Sequence, residues 1–383
     1  MIYLSLPIGS IYGWGVCGKY ITKELSSITD VKLITEQFDV NKAGDEFDYL
    51  FLMGKLADRE IASGYIKETE SPVLHAIDEE RFLPWSVDLK GTPNAGYTFF
   101  ERTNITESQV RNANSDFDIV ITGSKWCEGV LRQKGVDRVA TVVQGIDPQL
   151  FNAVDSENTL FKDRFVVFSG GKFELRKGQD IVLKAYKVLQ ERHKDTMLVY
   201  AWFNPFEKSI RSMAHSPYIK FFVPHNYRLL DQEKLVEQAL RSEFLDLARV
   251  VPLAPRFNSQ MAKVYKNTDI GLFPNRCEGG TNLVLMEYMA CGKPVVASYN
   301  TGHKDILTDY NCIKIEHMGT IEHSGEVWED PSLDETIEHL EWAYQNRGKL
   351  KDIGFNAGRD LAKFTWKRTA QSFYNLLCHE HYT

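Results

Sequence analysis

Short apolar runs alternate with stretches of helical character along this chain, and the alternation runs through twice. In the first half the runs are IYLSLPI, VKLITEQF, YLFLM, SPVLHAI and FDIVITG, with helical patterns such as GKYITKELSS and SKWCEGVLRQKG between several of them. Continuously apolar strands are covered on both faces, and strands separated by helices form parallel βαβ units. The pattern restarts at RFVVFSG and continues through KGQDIVLKAYKVLQERH, MLVYAWF, SQMAKVYKNT, DIGLFP, NLVLMEYMACG and PVVAS. This predicts an α/β chain of two Rossmann-like, doubly wound domains facing a cleft, joined near residues 151–163. The length of 383 residues agrees, at ~100–200 residues per domain. Open α/β sheets bind ligands at the carboxyl ends of their strands, so the cleft is the expected site.

The expected domains are residues 1–160 and 161–364. Residues 204–249 hold three prolines and several aromatics. That stretch is too long for a simple loop and reads as an insertion with short helices. Residues 365–383 should form a docked terminal helix, because Trp366, Thr369, Phe373 and Leu377 fall at helical spacing.

Charge narrows the partners. Residues 1–150 hold 15 Lys and Arg against 22 Asp and Glu, and the remainder is balanced, so the first half carries the whole net charge of −7. This is the wrong sign for nucleic acid and disfavours peripheral contact with an anionic membrane. No run approaches the ~18 apolar residues of a membrane-spanning helix, and the opening IYLSLPI lacks the basic flank and cleavage site of a signal peptide. The six cysteines show neither a CxxC nor a paired spacing with His, which argues against a disulfide frame and a zinc site. A cytoplasmic protein is expected.

Three segments carry chemistry. Gly13-Trp14-Gly15-Val-Cys-Gly18 satisfies GxGxxG, with Asp39 about 21 residues beyond. In a dinucleotide fingerprint, however, the first glycine follows the strand directly, and here residues 9–12 intervene. The expected role is a loop that offers N–H groups and Trp14 to a ligand in the cleft. The second segment, Ser169 to Asp180, lies between a strand and a helix. Its glycines allow close approach, Lys172 and Lys177 supply charge, and the helix beginning near Gly178 presents free N–H groups, a phosphate-binding set. The third runs from Asn275 to Ser298. Its Glu278-Gly279-Gly280-Thr281 loop ends a strand, and Thr281 can cap a helix opening on the cleft. Glu287 stands inside the apolar run LVLMEYMA, where a carboxylate needs exposure or hydrogen bonds.

Together with residues 118–151, which end in QGIDPQLF, the second and third segments resemble the retaining, nucleotide-sugar-dependent glycosyltransferases of family 4, which have the GT-B fold. The most specific matches are QGIDPQLF, the KGQD corner and NLVLMEYMACGKPVVAS; the FTWKR before the last helix also fits. The resemblance implies an acceptor-binding first domain, a nucleotide-sugar-binding second domain, and a last helix that crosses back onto the first. It implies that Lys172, where the family usually has Arg, and Lys177 bind the donor diphosphate. Gly279, Gly280, Thr281, Asn282 and Leu283 would line the donor, and Glu287 would hold the ribose. The family's two glutamates are separated by seven residues. Here eight lie between Glu278 and Glu287, so Glu278 is a shifted match to the one that touches the donor sugar. His75, in VLHAID, is expected at a strand end facing the cleft near the reacting sugar, with Asp78 as the alternative in that place. Gly13, Trp14, Gly15 and Asp78 would lie on the acceptor side.

The expected function is therefore transfer of a sugar from a nucleoside-diphosphate sugar to a saccharide, glycoprotein or other hydroxyl acceptor, with retention at the anomeric carbon. No metal or other cofactor is expected, because Lys172 and Lys177 would neutralise the leaving diphosphate. A sugar-nucleotide epimerase or hydrolase on the same fold, or a non-catalytic two-lobed sugar-binding protein, would share the phosphate corner.

Overall fold

The computed structural model describes residues 1–379 other than 205, 226, 229 and 230. Pro205 of the expected insertion and the last four residues of the expected terminal helix therefore lie outside the described residues. Seven strands form the first sheet: β1 (Ile2–Ser5), β2 (Val31–Ile34), β3 (Val73–Asp78), β4 (Leu83–Pro84), β5 (Asn94–Thr98), β6 (Ile119–Thr122) and β7 (Val139–Thr141). They run β2-β1-β3-β5-β6-β7, all parallel, with the short β4 antiparallel on β3. The second sheet contains β8 (Phe165–Gly171), β9 (Thr196–Trp202), β10 (Val250–Pro252), β11 (Ile270–Phe273), β12 (Val295–Ser298) and β13 (Ile313–Ile315). Its order is β10-β9-β8-β11-β12-β13, again parallel throughout. Two doubly wound sheets thus stand in one chain, the GT-B architecture.

The cores show why continuous apolar runs were needed. Every residue of β1 and of β11 is buried, as is β8 from Phe165 to Gly170. The helix Leu283–Ala290 is apolar around most of its circumference and buried at all but one position, as a helix covered on all sides should be. Its Tyr288 stacks on Phe168 of β8, ring centres 5.2 Å apart.

The chain crosses between domains at two touching places. Ile146 pairs in parallel with Thr365, through hydrogen bonds from Ile146 N to Phe364 O at 2.9 Å and from Trp366 N to Ile146 O at 3.3 Å. The helix Trp366–Cys378 then lies on the first domain. Trp366 stacks on Tyr20 at 5.5 Å, Phe373 meets Tyr97 edge-on at 4.9 Å, and Thr369 Oγ1 donates to Val143 O at 2.9 Å. Trp366, Phe373 and Leu377 are at most 2% exposed, each stabilising the docking by about 1.5–3 kcal/mol.

One expectation needs correction, and two elements were not anticipated. YLFLM is not a strand but part of the helix Glu46–Met53, whose N-cap Asp45 accepts from Asp48 N at 2.8 Å. A five-residue apolar run does not distinguish strand from helix, and the capping aspartate decides it. Conversely β5, NAGYT, carries no apolar run, yet all five residues are buried. Its Asn94 is satisfied by Nδ2 donating to Asp116 O at 2.6 Å and its own N–H donating to Asp118 Oδ2 at 2.7 Å. A hairpin, β14 (Met318–His323) with β15 (Glu326–Pro331), was also not anticipated. Among the described residues no helix is long and apolar enough to cross a membrane.

Candidate functional site

The residues of interest gather where β8, β11 and β12 end. After β8 the chain turns through Lys172–Lys177 and reaches Gly178, whose φ of +71 suits glycine. A Cβ there would lie 2.0 Å from Pro274 O, so only glycine lets this turn meet the loop after β11. The turn is held from behind by Asn204, whose Nδ2 donates to Phe173 O at 2.9 Å. Arg276, fully buried, reaches back from the β11 loop and grips the start of the helix Gln179–Arg192. Its Nη1 and Nη2 donate to the two carboxylate oxygens of buried Asp180 at 2.8 and 2.9 Å, and its Nε to Asp330 at 2.7 Å. This end-on, two-point pair clamps the two loops that carry the site.

Six charged groups converge in front of that clamp. Lys177 Nζ lies 2.5 Å from Glu278 Oε1, and Arg176 Nη1 lies 3.2 Å from Glu278 Oε2 and 3.2 Å from Glu101 Oε1 of the first domain. Arg176 Nη2 donates to Glu174 at 2.7 Å, and Asn275 Nδ2 donates to Glu278. Burial opposes ionisation of Glu278, but Lys177 and Arg176 outweigh it and pull its carboxyl down to about 2. Burial also lowers the Lys177 ammonium, against the pull of Glu278. Lys172 is the least committed cation, its side chain 37% exposed and its Nζ 3.9 Å from Glu174. Lys172, Arg176 and Lys177 thus stand together, each with a carboxylate as its partner.

The floor comes from β12. Thr301 Oγ1 accepts from Glu278 N at 2.9 Å, and Asn300 Nδ2 donates to the carbonyls of Asn275 and Arg276 at 2.9 and 3.1 Å. Burial pushes His303 down to about 4, so it is neutral near pH 7. Its Nδ1, 3.0 Å from Ser298 O, must then donate, leaving Nε2 to accept from Asn282 Nδ2 at 3.4 Å. Asn282, at φ +62, is the residue that caps the helix Leu283–Ala290, accepting from Leu285 N. Thr281 was expected in that place; its hydroxyl instead contacts Met286 Sδ at 2.9 Å. Glu278 itself stands beside Lys177.

Glu287 faces inward, 2% exposed, and accepts from Asn258 Nδ2 and, at 3.4 Å, from Tyr265 OH. Burial pushes its carboxyl up to about 8. The folded protein therefore binds this proton more tightly than the unfolded chain does, and the stability it confers falls as pH rises from about 4.5 to about 8. Glu287→Gln, which copies the protonated form, is expected to flatten the decline of Tm across that window and to exceed wild type at its alkaline end. Calorimetric melts of both proteins from pH 5 to 9 check this; parallel curves would contradict it.

The first domain supplies the opposing wall. Gly13, Trp14 and Gly15 do not form a loop; they are the first turn of the helix Gly13–Leu25. The glycines serve packing, since a Cβ on Gly15 would meet Gly9 Cα at 2.5 Å and one on Gly18 would meet Pro7 O at 2.0 Å. That accounts for Gly15 and Gly18 of the GxGxxG run without a dinucleotide. Trp14, half-buried, packs edge-on against Phe99 at 4.7 Å, Tyr97 at 5.7 Å and Trp85 at 6.2 Å. The domains touch directly, Ser124 Oγ donating to Gly279 O at 2.7 Å and Asn258 N to Ser10 O at 2.7 Å, so Gly279 and Gly280 lie at the interface.

His75 is placed elsewhere. It sits within β3, fully buried, with Nε2 2.9 Å from Leu89 O and 3.2 Å from Asn94 Oδ1. Three residues before the end of its strand, its ring packs beside Phe117. Asp78 ends β3 but shapes the following turn, accepting from Glu80 N at 2.8 Å and Arg81 Nε at 2.9 Å. Neither was distinguishable in sequence from a cleft residue, because a one-position shift along a strand reverses the face. Arg176, Arg276 and Asn258 were overlooked; the run E-L-R-K-G, with opposite charges before a glycine turn, was the available signal for Arg176.

Residues 151–360 match the family model described as Glycosyl transferases group 1. Comparison with curated proteins gave no match. Among solved structures, sucrose-phosphate synthase from Thermosynechococcus elongatus is 14% identical with a TM-score of 0.67, the alignment covering 98% of this chain and 97% of that one. HepE of Anabaena in complex with UDP and glucose is 15% identical, TM-score 0.67, with 98% of each chain covered. The α,α-trehalose 6-phosphate synthase from Burkholderia multivorans is 12% identical, TM-score 0.64, again with 98% of each covered. At these identities the likeness is one of fold.

Proposed function

Since the chain belongs to the group 1 glycosyl transferases, we propose that it moves a hexosyl group from a nucleoside-diphosphate sugar to an acceptor hydroxyl with retention of configuration and without a metal. The observation that carries this is the set of three cations, Lys172, Arg176 and Lys177, at the carboxyl end of β8, facing the Glu278 loop. As the anomeric bond breaks, negative charge grows on the leaving diphosphate. Prearranged cations and the N–H groups of residues 279–283 stabilise it without reorganising, usually the largest single catalytic contribution. On this reading Glu278, beside Lys177, contacts the transferred sugar, and Glu287 turns from Asn258 and Tyr265 to accept from the ribose hydroxyls. The aromatic wall around Trp14 offers a stacking face to an acceptor. Retention requires the acceptor oxygen to arrive on the face that the diphosphate leaves, so both substrates must share the narrow space between the two walls.

The test is direct. A thermal-shift panel of UDP, GDP and ADP identifies the base, since a ligand at ~100 times its Kd adds about 2.7 kcal/mol of native stability. Proton NMR of the first product formed from an α-linked donor should show the α anomer, and EDTA should leave turnover largely intact. A β product overturns retention, and complete, Mg-restorable loss in EDTA overturns metal independence. Donor breakdown at the same rate with and without acceptors would favour a hydrolase.

A further inference from the structure

Arg102 lies in the loop after β5, and the chain on both sides of it is fixed from the other domain. Trp328 Nε1, on β15, donates to Glu101 O at 2.8 Å. Thr103 N and Asn104 N both donate to Glu326 Oε2, at 2.9 and 3.4 Å. The Glu101 carboxylate meets Arg176 at 3.2 Å. The backbone carrying Arg102 is thus held at the domain interface, within the reach of the phosphate-corner cations.

Its guanidinium has a specific deficit: Nε and Nη2 are buried and have no hydrogen-bond partner among the described residues. These two N–H groups share one edge of the planar group and point the same way. That edge accepts both oxygens of a carboxylate or two oxygens of a phosphate in a fork-to-fork pair. Leaving two donors of a cation buried and unmatched is costly, and such groups in a folded protein call for a reason. The cation acts on Glu79, the residue after β3, where burial and Glu101 raise the carboxyl while Arg102, Arg176 and Lys172 oppose the rise. Glu79 therefore feels Arg102 from one wall and the donor-side cations from the other.

The diphosphate cations all come from the second domain, whereas Arg102 comes from the first, the wall that also carries Trp14. On the reading given above, we propose that Arg102 is a specificity-determining residue that binds an oxyanion of the acceptor, so that the acceptor is an acidic or phosphorylated saccharide. The β14–β15 hairpin is the positioning element that fixes the fork: it reaches Arg102's neighbours only when the domains are together.

The experiment titrates matched saccharides into the full-length protein saturated with whichever of UDP, GDP or ADP the thermal-shift panel selects. The probes are glucose, glucuronate and glucose 6-phosphate, and galactose, galacturonate and galactose 1-phosphate, with binding read by calorimetry. At least one acidic member should bind roughly tenfold or more tightly than its neutral counterpart. Arg102→Lys, which keeps the charge and loses the fork, should erase most of that preference while leaving neutral sugars and the nucleotide within about twofold. Carboxylate and phosphate arms separate the two sources of the oxyanion. Arg102→Gln and a melting curve for each variant guard against misfolding. The proposal is overturned if no acidic member is preferred, if the preference survives in both variants, or if either variant loses nucleotide affinity by the same factor, which would assign the fork to the donor. Nucleotide binding without any acidic preference would remove this inference and leave the transferase reading standing; absence of nucleotide binding would remove that reading first.

Discussion

Lys177→Ala is expected to lower kcat/KM for sugar transfer by roughly 10²–10³-fold, the range found when one preorganised donor to a developing anion is removed. Lys177 is the cation closest to Glu278, at 2.5 Å, and it stands at the turn whose backbone Gly178 bends toward the β11 loop. Without it Glu278 keeps Arg176 and Asn275 as partners, so the fold should tolerate the change and the loss should fall on chemistry. Lys177→Arg should recover part of the rate, because charge is retained while the compact ammonium is not. Steady-state kinetics with a saturating acceptor decide the matter. A variant within threefold of wild type would remove Lys177 from the phosphate site.

Arg276→Leu should instead strike stability, by about 3–5 kcal/mol, because it leaves a buried carboxylate without its partner. Asp180 is 0% exposed, and without Arg276 it keeps the neutral Ser216 hydroxyl, which donates to Oδ2 at 2.6 Å but cannot balance its charge. Melting of the second domain should fall by roughly 6–20 °C, at about 2–4 °C per kcal/mol for a domain of this size. The double variant Arg276→Leu with Asp180→Leu should recover much of this, since replacing a buried ion pair by apolar groups is often nearly neutral. The clamp also aligns the phosphate turn with the Glu278 loop, so the double variant should melt close to wild type yet transfer sugar slowly. Equal melting of the single variant and wild type would mean that Asp180 is not held by Arg276 in solution.

Much of the architecture was legible because parallel strands covered on both faces leave continuous apolar runs. RFVVFSG, DIGLFP and PVVAS announce β8, β11 and β12, and the loops after them carry the charged residues that a cleft requires. Where burial is achieved by other means the signal fails. In β5, Asn94 replaces apolar character with hydrogen bonds to Asp116 and Asp118. In YLFLM, the apolar residues Leu50 and Met53 lie on the surface of a helix, 67% and 42% exposed, so hydrophobicity alone pointed the wrong way. The hairpin β14–β15 reads EHMGTIEHSGEVWEDP, mostly polar, because only Trp328 and a few neighbours are covered.

The sequence by itself determined the α/β class, the two-sheet division, the terminal helix and the positions of Lys172, Lys177, Glu278 and Glu287 in strand-end segments, all of which follow from local periodicity and from where glycine and charge interrupt it. Only the tertiary structure decided what those side chains face. It turned His75 into the sheet and Glu287 inward, made Asp78 a turn residue, revealed Arg176 and Arg276 as the centres of the charge cluster, and left the fork of Arg102 unmatched. The reason is geometric. Pairing between residues such as Arg176 and Glu101, or Arg276 and Asp180, joins loops far apart in sequence, and no local pattern records which of many possible partners a long charged side chain will reach.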